Sequence, residues 1–66
     1  MAKQSQLDAV RRIFADLTGA LEDAAVLAAA AQATVSRDDA YRQCEDLIAA
    51  VSLCLVRLHR LKRRLE

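Results

Sequence analysis

The chain has no proline and no tryptophan, a single glycine, and one residue each of phenylalanine, tyrosine and histidine. Without proline nothing in the sequence forces a break in a helix, and with so few aromatic residues there is little to build a β-sandwich or barrel core. Cysteine is scarce too. Cys44 and Cys54 lie ten residues apart in what reads as one helix, about 15 Å along its axis at ~1.5 Å per residue. A disulfide needs Cα atoms within about 7 Å, so these two cannot pair within the chain, and both read as small apolar core residues. With His59 as the sole histidine there is no ligand set for a metal. Neither sign of charge prevails. Ten Lys and Arg face nine Asp and Glu, a net charge of +1, which gives no general attraction to nucleic acid or anionic membrane.

Alanine and leucine fill the space these absences leave, and 55% of the 66 residues are hydrophobic. That composition predicts long helices. The start, MAKQSQLDAV, lacks the apolar stretch of a secretory signal, and the longest apolar run, Leu47 to Val56, is about half of the ~20 residues needed to span a bilayer. A cytoplasmic location and no membrane contact are the expectation. One small domain is all this length allows, and a single core of that size usually needs a disulfide, a metal or another chain to stabilise it.

Two apolar series carry the fold. Leu7, Val10, Phe14, Leu17, Leu21, Ala24, Ala28, Ala31 and Val35 follow alternating steps of three and four, and so do Cys44, Leu47, Val51, Cys54, Leu58, Leu61 and Leu65. Each is the expected seam of an amphipathic helix. The series are out of phase by two residues, which in one unbroken helix would swing the stripe nearly to the opposite side. The break belongs at Thr34-Val35-Ser36. β-Branched residues weaken the first helix there, and Ser36 can cap a second, with Asp39 completing a capping box. Ser5 and Asp8 repeat that spacing. The prediction is an all-α, antiparallel, coiled-coil-like hairpin in one domain, residues 1–66, with helices over 5–34 and 37–65 and a turn at 34–36.

Such a hairpin buries one seam, and the chain has more apolar surface than one seam covers. Ile13, Val26, Ile48, Leu53, Leu55 and Val56 flank the expected seams or lie beyond them, and Gly19 offers a place where a partner backbone can come close. These are the candidate partner-binding residues. Arg57, Arg60, Arg63 and Arg64, near the open end, are candidates for electrostatic contact. The turn end is acidic by contrast, with Glu22, Asp23, Asp38, Asp39, Glu45 and Asp46. No nucleophile–base pair, carboxylate cluster or Gly-rich phosphate loop is present, so the chain is expected to be no enzyme, with no cofactor, no metal and no small-molecule substrate.

Two families are similar in parts. In length, in the KQ near the start, in Lys3 and Phe14 and in its second-helix cysteines the chain resembles the plasmid Rop proteins, RNA-binding hairpins that dimerise into four-helix bundles. That likeness implies RNA contact by Lys3 and Phe14, but Val10, Thr18 and Ala25 stand where that surface uses polar or basic residues, so nucleic acid is not the expected partner. In ALED of the first helix, in Tyr41 shortly after the turn, and in the spacing of Cys44, Val51, Cys54, Leu55, Leu58 and His59, it resembles the small E-component co-chaperones of type III secretion needle subunits. That resemblance implies a helical hairpin that binds a helical-repeat chaperone and helps keep a needle subunit unpolymerised. A homodimeric four-helix bundle is the alternative.

Overall fold

The computed structural model describes residues 2–66, with side chains from Gln6 onward, as two α-helices and the turn between them. Helix α1 spans Ala2–Ala31 and helix α2 spans Arg37–Leu65, so each is about 45 Å long at ~1.5 Å per residue. They pack side by side and run antiparallel, the N-terminal half of α1 (Ile13, Asp16) lying beside the C-terminal half of α2 (Arg57, Arg60, Arg64). The backbone of α1 is already helical at Ala2, so Ser5 lies within the helix rather than at its cap, and the side chains of residues 1–5 fall outside the described ones.

The turn has a clear cause at each end. Helix α1 unwinds through tighter i→i+3 bonds, in which the amides of Gln32, Ala33 and Thr34 donate to the carbonyls of Ala29, Ala30 and Ala31 at 3.1–3.2 Å. Ser36 then takes an extended conformation (φ −121°, ψ 137°), and its Oγ accepts from the Asp39 amide at 3.4 Å, capping α2. Only half of the expected capping box forms. The Asp39 carboxylate turns outward to Arg42 at 3.0 Å instead of reaching back to Ser36. Val35, placed by its spacing at the end of the first seam, is fully exposed in the turn. At the far end of α2, Lys62, Arg63 and Arg64 sit on the negative end of the helix dipole.

The seam matches the sequence-based expectation at alternate positions on both helices and moves to the preceding residue at the positions between them. Inner positions on α1 are Val10, Ile13, Leu17, Ala20, Ala24 and Ala31; on α2 they are Ala40, Gln43, Leu47, Ala50, Cys54 and Leu61. Val10, Leu17, Ala24, Ala31, Leu47, Cys54 and Leu61 were expected there. Phe14, Leu21, Ala28, Cys44 and Val51 were expected there too, and are exposed. Side-chain size accounts for the shift. Ala20, Ala24, Ala50 and Cys54 let the two helices approach closely, which Phe14, Leu21 and Val51 in those places would prevent. Both cysteines are free, Cys54 in the seam and Cys44 outside it.

The result is a slab one helix thick. Its extents are 54 × 17 × 9 Å and its radius of gyration is 15.8 Å, against about 11 Å for a globular chain of this length. Only Leu17, Ala24, Cys54 and Leu61 are buried among the described side chains, and none of them completely.

Candidate interaction face

Each inner position has a neighbour one residue further along, about 100° around the helix. On α1 these neighbours are Arg11, Phe14, Thr18, Leu21, Ala25 and Gln32, with Leu7 and Ala28 extending the stripe; on α2 they are Tyr41, Cys44, Ile48, Val51, Leu55 and Lys62, with Leu58 and Leu65 extending it. In an antiparallel pair, the same sense of rotation about each helix's own axis brings both stripes to the same side of the slab. The hairpin therefore has one broad face to which both helices contribute apolar side chains over about two thirds of their length. Phe14 is 49% exposed, Ile48 65% and Leu55 53%. A shallow depression in this face is lined by Leu47, Ile48, Val51 and Ser52.

The polar groups on the face are few and already satisfied or marginal. Thr18 donates its hydroxyl to the Phe14 carbonyl at 2.9 Å and so turns its methyl outward. Arg11 pairs with Asp8 at 3.3 Å along the rim, and Lys62, which follows the buried Leu61 and so lies on the face near its open end, pairs with Glu66 at 4.0 Å. These exposed pairs contribute at most a few tenths of a kcal/mol each.

The opposite face has a different character. Arg12, Asp16, Asp23, Arg42, Asp46, Arg60 and Arg64 are spread across it. Near the open end Arg57, Arg60 and Arg64 gather with Asp16 and Ile13 in a groove between the helices, while Arg63 lies on the outer side of α2 with His59 and Val56. Helix α1 passes Gly19 toward this charged side, and a Cβ built there would meet nothing within 4 Å.

The candidate partner-binding residues thus divide three ways. Ile48 and Leu55 lie on the broad apolar face. Gly19, Val26, Leu53 and Val56 project to the charged side or the back, with Val26 68% exposed. Ile13 is corrected: it is half-buried in the seam, because α1 turns its Ile13 side rather than its Phe14 side to α2. Leu7, Phe14, Leu21, Val51 and Leu58 were assigned to the seam and belong to the exposed face, at 39–49% exposure. Their own spacing carried the signal, since it marks a stripe that must be covered without saying by what.

Among the described residues no three His, Cys, Asp or Glu side chains gather as a metal site, and no helix is long and apolar enough to cross a membrane. Comparison of the chain with protein-family profiles, with curated proteins and with solved structures gave no match.

Proposed function

We propose that this hairpin is a small protein-interaction module that presents the broad apolar face of both helices to a helical partner. One observation carries the reading: in a slab one helix thick, a face lined by Phe14, Leu21, Ile48, Val51, Leu55 and Leu58 is left uncovered while most of the charges lie elsewhere. Burying an aliphatic side chain contributes about 1.5–3 kcal/mol. A contiguous row of such residues left in water marks an interaction site rather than scattered surface. The setting we propose is that of a cytoplasmic co-chaperone of type III secretion needle subunits, in which the face docks on a helical-repeat chaperone and the pair holds the needle subunit unpolymerised. The resemblance in ALED, Tyr41 and the α2 spacing supports that setting.

Coexpression of the tagged chain with such a chaperone and its needle subunit tests it. Both should copurify with the hairpin. Leu55→Glu should abolish the copurification, whereas Val26→Glu, on the other side, should leave it intact. No copurification with wild type, or loss with Val26→Glu alone, would overturn the assignment. Phe14 sits among Leu7, Leu21 and the Thr18 methyl, an apolar setting that favours protein over RNA at this surface.

A further inference from the structure

We infer that in the free protein a second copy of the chain covers this face, the two hairpins packing with their turns at opposite ends to close a four-helix bundle that a partner must open. The inference rests on the reading of the broad face as the docking surface, and it names the occupant when no other protein is bound.

Three observations point to a second copy. The first is area. The stripe covers about 32 Å of each helix at ~1.5 Å per residue and the slab is 17 Å wide, so two such faces together offer roughly 1,100 Å², which clears the ~1,000 Å² of a specific interface. The second is the centring of the stripe. It runs from Leu7 to Ala28 on α1 and from Cys44 to Leu65 on α2, so its midpoint falls near Thr18 on one helix and Leu55 on the other, which lie about level in the hairpin. A two-fold axis through that point superposes the whole apolar stripe of one copy on that of the other, as an isologous contact requires.

The third is charge, and it fixes the orientation. Arg11 and Glu22 lie on the outer rim of α1, and Glu45 and Arg63 on the outer rim of α2. With the turns at opposite ends, α1 lies along α1 of the second copy in reverse. Arg11 then comes within side-chain reach of Glu22 of the second copy, and Glu45 comes within reach of its Arg63. With the turns at the same end, α1 would lie along α2 of the second copy, and Arg11 would meet Lys62 and Arg63. That arrangement sets basic end on basic end and acidic turn on acidic turn. Glu22, Glu45 and Arg63 form no ion pair within the described hairpin, so all three are free to make these contacts.

Sedimentation equilibrium on the purified full chain tests the inference, with circular dichroism to verify helicity of each variant. Wild type should have twice the chain mass at micromolar concentration. Arg11→Glu and Glu22→Arg should each weaken the dimer roughly tenfold, because each alters two symmetry-related rim pairs, and the double exchange should restore it. Added chaperone should convert the dimer to a heterocomplex. A single-chain mass at every concentration would overturn the dimer, and a dimer strengthened by Arg11→Glu would overturn the opposed orientation. Neither result bears on copurification with the chaperone, so failure here is distinct from failure of the proposed function.

Discussion

Truncating Phe14 to alanine separates the two roles an apolar residue can have in this fold. In the isolated hairpin Phe14 keeps 49% of its surface in water and takes no place in the seam. A phenylalanine side chain can bury about 200 Å², so roughly 100 Å² remains for a partner to cover. Most of that is lost with the ring. At ~25 cal/mol per Å² the loss is about 2 kcal/mol per chain, and about 4 kcal/mol for a dimer that contains two copies. A dissociation constant changes tenfold for each ~1.4 kcal/mol, so Phe14→Ala should weaken the dimer by close to a thousandfold. Because only a difference in buried area enters, uncertainty in the unfolded state largely cancels. The assay is sedimentation across a concentration series, with Val26→Ala as the control from the other side. The reasoning is refuted if Phe14→Ala changes the dissociation constant no more than Val26→Ala does.

Other substitutions probe the parts that position the face. Leu17→Ala removes a side chain 3% exposed in the seam, and its cost of about 2–5 kcal/mol matches or exceeds what a core of this size supplies, so the variant should lose its helical circular dichroism at 25 °C. Gln43 holds its Oε1 buried in the seam without a partner, so Gln43→Leu should stabilise the fold by about 1 kcal/mol or more, raising Tm by about 4–8 °C per kcal/mol. Gly19→Ala places a methyl in open space and should stabilise α1 by about 0.5–1 kcal/mol without changing association; weakened association would show that a partner approaches there after all. Ser36→Ala removes the α2 cap and should cost about 0.5–1 kcal/mol, read as a lower Tm at fixed concentration.

How much of this was legible in the sequence depends on which link is asked about. The hairpin followed from apolar steps of three and four and from the two-residue phase change across Thr34-Val35-Ser36. The Ser36 cap followed from a small hydroxyl residue ahead of two aspartates. The phase of each helix did not follow, because the chain offers apolar residues in adjacent pairs: Ile13 with Phe14, Ala20 with Leu21, Leu47 with Ile48, Ala50 with Val51, Cys54 with Leu55. Either member of each pair continues a three-four series, and only packing decides between them. The structure puts the smaller of Ala20 and Leu21, of Ala50 and Val51, and of Cys54 and Leu55 inside, where helices must approach, and leaves the larger outside. That choice turns part of what reads as the core stripe, Phe14, Leu21 and Val51 among it, into the exposed face. The same ambiguity scattered the candidate partner-binding residues, since Leu53 and Val56 look as apolar in sequence as Ile48 and Leu55 and differ only in the side of α2 they occupy.

The chain contains one phenylalanine, so fluorophenylalanine incorporation places a single ¹⁹F probe on the broad face, one turn from its centre. The shift of its resonance between H₂O and D₂O reports whether water reaches that ring. Coverage of the face predicts a solvent-sensitive signal at high dilution that becomes insensitive as concentration rises, and remains so when the chaperone is added in excess. A resonance equally sensitive to solvent at every concentration, with and without the chaperone, would mean that nothing docks on the face.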